Sequence, residues 1–180
     1  MILPIVIVTI RGAQNDIPRD LDSANMVWGG EMEIWVDAVA NLVVDRPALL
    51  VLAQNDCAAL DAHTVSVEED ALFDLGRAVG TDVVGYYIAG DTAGFAGCAA
   101  HPPGRRGFWV GEDATRWTFI HEATHVVGRN PHADRNDTDN LMVPGTFRIT
   151  NPPPDLNDAQ RARILNDPAL LCIPSMVLNL

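Results

Sequence analysis

The sequence predicts one α+β domain, and three observations carry that expectation. Runs of β-branched and aromatic residues, each short enough for a strand, recur from the N-terminus to Gly111. Between and after them, four stretches place apolar residues or helix caps at helical spacing. No repeat, low-complexity tract or long linker divides the chain, and 180 residues suffice to bury about 70% of the unfolded surface without staples.

Residues 4–10 are β-branched and barely alternate, as a strand buried on both faces requires. Residues 11–20, with Gly12, Asn15, Asp16 and Pro18, read as a polar turn. From Asp22 to about Val39 the residues Met26, Val27, Gly30, Ile34, Trp35 and Ala38 recur at helical spacing, and Asp22 or Ser23 can cap the start. Leu42–Val44 and Leu49–Leu52 read as strands broken by Asp45-Arg46-Pro47, and 53–65 as loop. Ser66 and Glu69 stand in capping-box register for a short helix reaching Ala78. Val83–Ala89 is a strand. The Gly-, Ala- and Pro-rich segment 90–107 holds a short edge strand around Phe95–Ala99, and Phe108–Gly111 is another strand. Asp113 caps a helix over 114–127. Residues 129–154 lack apolar periodicity and end on three prolines. Asp155 caps a last helix to Leu165, with Leu156, Ala159, Ala162 and Ile164 or Leu165 on one face. Residues 170–180 are apolar and unassigned.

Composition excludes several classes. At 48% apolar and 20% charged the chain is an ordinary soluble globular protein. A net charge of −12 argues against nucleic acid or an anionic membrane as partner, since both need basic patches. All basic residues are Arg, which reads as compositional bias. The apolar start, residues 1–10, has no basic segment before it, no cleavage site after it, and too little length to span a bilayer. We therefore expect a strand there, and no signal peptide or membrane anchor in this chain. Cys57, Cys98 and Cys172 are odd in number and widely spaced, so they make no disulfide framework. Either one pair is bridged in an exported protein or all three are buried thiols.

The chemistry is concentrated in His121-Glu-Ala-Thr-His125-Val-Val-Gly128-Arg-Asn-Pro-His132. On a helix, positions i and i+4 share a face, so His121 and His125 can offer one imidazole each to a single zinc ion. Glu122 is turned about 100° from His121, within reach of a metal-held water but badly placed to displace it. Gly128 can end the helix in a left-handed conformation and return the chain with His132 as third ligand. Three protein ligands and one open position suit a catalytic zinc, whereas four would close the site. By multiplying residue frequencies, His-Glu-x-x-His arises by chance in roughly one chain in two hundred of this composition. An amphipathic helix with two hydrogen-bonded core histidines is the plainer alternative, and the following Gly128 and His132 weigh against it.

These residues resemble the metzincin zinc endopeptidases, whose pattern is H-E-x-x-H-x-x-G-x-x-H followed by a Met-turn. His121, Glu122, His125 and Gly128 match position for position, and Asn140-Leu141-Met142-Val143-Pro144 is similar to a matrixin-type Met-turn. The departure is one residue: Pro131 stands where the third His belongs, and His132 follows it. The resemblance is tight over about 117–145 and implies a mixed, twisted sheet with two long helices in an upper subdomain (1–128). A lower subdomain (129–180) would hold the third ligand, the Met-turn and a final helix. It also implies an endopeptidase that hydrolyses peptide bonds by a zinc-activated water, with Glu122 as general base. Substrate would be a peptide or protein held in extended form along an edge strand within Gly94–Ala100, and the protein a monomer. The family is usually exported.

Other assignments stay open. Asp134 is the substitute third ligand, whereas a distant Glu is excluded because no Glu follows Glu122. A zinc-stabilised binding module without turnover is a reading from another class; Glu122 has no purpose in it. Asp134, Asp137 and Asp139 can line a Ca2+ site but lack an EF-hand's Gly and terminal Glu, so turn residues are the simpler account. Thr146, Phe147 and Arg148 are candidates for the wall of a specificity pocket. Trp117 and Ile120 read as core, His63 and His101 as loop histidines, and Arg105-Arg106 as a solvated basic pair.

Overall fold

A computed structural model describes residues 1–53, 57, 65–77 and 79–172. The expectations for 54–56, His63 and the rest of 58–64, Ala78 and 173–180 lie outside the described residues. The first strand, β1 (Ile2–Ile10), is the longest apolar run and sits inside a five-stranded sheet. Its period of two sorts its side chains between two cores. Leu3, Ile5 and Ile7 face one, and Val6, Val8 and Ile10 face the other.

Chain order continues with α1 (Ile17–Ala24), a π-type turn over Asn25–Gly29, and the short α2 (Gly30–Met32). Strands β2 (Trp35–Val44) and β3 (Val51–Leu52) flank a 3-10 turn at Pro47–Leu49. Next come α3 (Val67–Asp74), β4 (Val83–Tyr87), β5 (Gly90–Asp91), β6 (Gly97–Cys98) and β7 (Gly107–Val110). The chain closes with α4 (Thr118–Val126), a 3-10 turn at Thr146–Arg148, and α5 (Asp158–Leu165). The main sheet runs β2-β1-β4-β7-β6. Strands β2, β1, β4 and β7 are parallel, and β6 alone joins antiparallel. The sheet is thus mixed but mostly parallel, which explains why β1, β4 and β7 lack the alternation of half-exposed strands. On one face pack α1 and α4; the other face carries α3 and the β3 region.

Several boundaries differ from the sequence expectation. The first helix starts at Ile17, because Asp16 accepts the Arg19 amide as N-cap and Pro18 occupies the first turn. It stops at Met32, where Glu33 turns left-handed (φ 54°), so 35–39 are strand and not helix. The helix that carries His121 and His125 is shorter than 114–127. Asp113 does not cap it; Thr118 begins it after Trp117, which makes no side-chain cap. At the last helix Asn157 replaces Asp155 as cap, with Gln160 completing a capping box. Ala159 and Ala162 are consequently exposed, and Gln160 and Ile164 face inward. The Ser66–Glu69 capping box forms as expected.

Two further corrections concern single residues. Cys57 and Cys98 form a disulfide, and Cys172 is exposed, so the cysteines are not three buried thiols. Arg105 and Arg106 are not merely solvated. Arg105 pairs with Asp70 and Asp74, and Arg106 donates to the Val126 carbonyl and to Asp167. That last contact occupies a carbonyl at the C-terminal end of α4, where a cation is favourable.

Candidate metal site

Helix α4 forms where the apolar residues demand it: Phe119, Ile120, Ala123 and Val126 all enter the core. The same helix leaves His121, Glu122 and His125 facing a cavity of about 480 Å³. All three are buried, at 3%, 7% and 9% exposure. His121 and His125 lie one turn apart with their rings edge to face, interplanar angle 86°, and their Nε2 atoms 3.2 Å apart.

The chain then leaves the helix through Val127 and two left-handed residues, Gly128 (φ 81°) and Arg129 (φ 50°). A Cβ on Gly128 would meet the α5 backbone at Arg163 and Ile164, both at 2.8 Å, so the turn must pack against α5 without a side chain. Asp167 receives the Gly128 amide at 2.8 Å. This path absorbs Pro131 and brings His132 round, its Nε2 3.1 Å from that of His125. The three imidazoles converge, and they form one of the histidine, cysteine or carboxylate clusters among the described residues. Asp134 is not in that cluster. Its carboxylate accepts the Asn136 amide at 2.8 Å in an exposed turn.

The tautomers follow from the partners. His121 Nδ1 lies 2.7 Å from the Leu141 carbonyl, and His125 Nδ1 lies 2.6 Å from the Asn130 carbonyl. A carbonyl only accepts, so each Nδ1 carries the hydrogen and each Nε2 keeps its lone pair. Burial holds both imidazoles neutral, lowering His121 to about 4 and His125 well below 6.5; His132 is lowered too, again by burial. Lone pairs on neutral nitrogens about 3.2 Å apart repel unless a cation lies between them. That spacing also suits tetrahedral ligands at 2.0–2.1 Å, whose nitrogens stand about 3.3 Å apart. The donor set therefore fits a metal ion.

Glu122 lines the same cavity, and burial pushes its carboxyl up to about 8. Among the described residues no cation offsets that burial, so a bound metal would restore its ionised form.

The wall opposite α4 combines residues the sequence points to, Asn140, Met142 and Thr146, with ones it does not, Gln160, Thr115 and Thr118. Asn140 accepts the Met142 amide at 2.9 Å and exchanges two 3.1 Å hydrogen bonds with Gln160 of α5. The Ala133 amide donates to the Met142 carbonyl, and the Leu141 amide to the Asp155 carbonyl. These bonds hold the carbonyl that anchors His121. Met142 is fully buried in the same core as α4. Thr115, Thr118 and Thr146 close a ring of hydroxyls at 2.7, 2.9 and 3.3 Å, tying the start of α4 to the turn after Pro144. Of the expected pocket wall, Thr146 and Phe147 line the cavity and Arg148 does not. The opposite rim is Gly94 to Ala99, which includes β6. The signal for the Asn140–Gln160 pair was the capping box at Asn157, hidden by the stronger-looking Asp155. The threonine ring had no local signal.

No protein-family model matches the sequence, and no curated protein matches it. Solved structures do. A crystal structure of metalloproteinase-II from Bacteroides fragilis superposes with a TM-score of 0.61 at 13% identity, over 91% of this chain and 52% of that one. A structure of a chaperone-substrate complex matches at 0.58 and 12% identity, over 92% of this chain and 34% of that one. The chain thus spans about half, or about a third, of the structures it resembles. At such identities the likeness establishes the fold alone, a mixed, mostly parallel α/β arrangement similar to that of the metalloproteinase.

Proposed function

We propose that this chain is a zinc-dependent endopeptidase of metzincin type. The observation that carries the proposal is the convergence of three neutral Nε2 atoms in a cavity that also holds the Glu122 carboxylate. Zinc, when bound, would polarise the scissile carbonyl and acidify water. Everything else falls to the protein. His121, His125 and His132 are the ligands, and the Leu141 and Asn130 carbonyls fix the first two rings in the ligating tautomer. Glu122 takes a proton onto its carboxylate as water attacks and delivers it to the departing amine. The Gly94–Ala99 rim offers an edge against which an extended peptide can pair through its backbone. Met142, next in the chain to the Leu141 carbonyl that anchors His121, would serve as the Met-turn residue. On this reading 1–128 form the upper wall of the cleft and 129–180 the lower.

The test is hydrolysis of a mixed peptide library by the intact protein, with and without chelator, beside Glu122→Ala. We expect metal-dependent cleavage, and a loss in the variant of at least the 10²–10⁴-fold that general-base catalysis supplies, with metal content unchanged. Stoichiometric zinc with no hydrolysis of any peptide would replace the enzyme by a zinc-stabilised binding module.

A further inference from the structure

Strand β6 approaches the Glu122 side chain through a residue that has none. A Cβ built on Gly97 would lie 2.8 Å from Thr118 Cγ2, 2.9 Å from Glu122 Cγ and 2.9 Å from Glu122 Oε1. All three distances are too short for carbon contacts in a packed protein. The backbone at Gly97 does not need glycine for its own sake, since its φ is outside the left-handed region. The glycine is required by what lies opposite.

Neither side of this contact has room to retreat. Gly97 and Cys98 pair with Val110 and Trp109 of β7, the Gly111 amide donates to the Ala96 carbonyl, and Cys98 is bound covalently to Cys57. On the helix side Thr118 is buried and held in the threonine ring, and Ile120 and Ala123 lock α4 into the core. Rotating the Glu122 carboxylate away would clear Oε1 but not Cγ. We infer that Gly97 is a positioning residue for Glu122: its missing Cβ is the space in which the carboxylate rests facing the three histidines. This rests on the reading of Glu122 as general base, and it adds a requirement on the strand that faces it.

The experiment is Gly97→Ala in the intact protein. The variant should bind one zinc with unchanged affinity and keep KM within about twofold. Its kcat should fall about 10²-fold, the scale of a misplacement near 1 Å. Wild-type kcat would overturn the inference, as would a loss confined to KM, because that would place Gly97 in substrate pairing only. A stability cycle reads the same contact without activity. Gly97→Ala should lower Tm in the native background and not in a Glu122→Ala/Thr118→Ser background, where the opposing atoms are gone. Equal losses in both backgrounds would overturn it. If Gly97→Ala alone fails to fold, folding of the triple variant supports the contact and its failure refutes it. Turnover retained by Glu122→Ala would remove the general-base reading, while the stability cycle would still report the contact.

Discussion

Helix α4 and the loop from Arg129 to Pro154 hold opposite sides of one site by different physics. The helix places His121, Glu122 and His125 by regular backbone hydrogen bonds and by four apolar side chains driven into the core. The loop holds His132 and the Leu141 carbonyl with little regular structure. Its order comes from polar pins: the paired amides of Asn140 and Gln160, the Asp167 contact to Gly128, and the threonine ring. A hydrophobic face tolerates small errors, because burial is non-directional. A network of buried hydrogen bonds does not, since one lost partner leaves others unsatisfied. The loop side is therefore the more fragile half.

The comparison can be broken first at the ligands. His132→Ala should weaken zinc binding by more than the roughly 100-fold seen for lost supporting contacts and leave the fold intact, since His132 is exposed and outside the core. His121→Ala should do as much to zinc and also destabilise the protein, because it leaves a buried gap and an unpaired Leu141 carbonyl. Asp134→Ala should change neither. Metal titration with thermal melts separates the three, and steep zinc loss in Asp134→Ala would move the third ligand to a carboxylate.

Gln160→Ala sharpens the contrast without touching the metal. It removes two buried amide bonds and a capping box, a cost of about 2–4 kcal/mol, and it should lower zinc affinity by loosening the turn that holds Leu141. Exposed Ala162, on the same helix, should tolerate substitution by Ser with little change in either quantity. Chemical denaturation of both variants gives the answer, and equal effects would mean that α5 contributes only bulk packing.

A further effect is in pH. In metal-free protein Glu122 is raised by burial to about 8, so its cost is absent below 4.5 and grows as pH rises toward 8. His121 is lowered by burial to about 4, so its cost is absent above 6.5 and grows as pH falls toward 4. His125 and His132 are lowered by burial as well, so below pH 6.5 the three histidines together outweigh Glu122, and stability of the metal-free form should peak near pH 6.5 and decline on both sides. Glu122→Gln should flatten the alkaline limb and steepen the acid one, each pKa interval of one being worth about 1.4 kcal/mol. An alkaline limb unchanged in that variant would show that the carboxyl is not desolvated.

Legibility in the sequence followed the same division. Strands β1, β4 and β7 and the helical part of the motif were visible because burial on both faces or at i and i+4 leaves a local periodicity. Residues 35–39 read as helix in the sequence, because Ile34, Trp35 and Ala38 keep helical spacing, yet they form strand. Glu33 in the left-handed region breaks the helix, and a conformation of that kind has no reliable sequence mark outside glycine. The Cys57–Cys98 bridge, 41 residues apart, was one of several open possibilities because connectivity depends on distance in space.

By itself the sequence determined which side chains can share one helical face, that a glycine turn follows them, and that a histidine lies within reach beyond it. Those are local properties, set by 3.6 residues per turn and by the φ values glycine allows. Only the tertiary structure decided that His132 and not Asp134 joins the other two rings, that carbonyls of Leu141 and Asn130 set their tautomers, and that Gly97 faces Glu122. Each of those contacts joins segments whose meeting depends on how the loop and β6 pack against α4, and no periodicity along the chain encodes that distance.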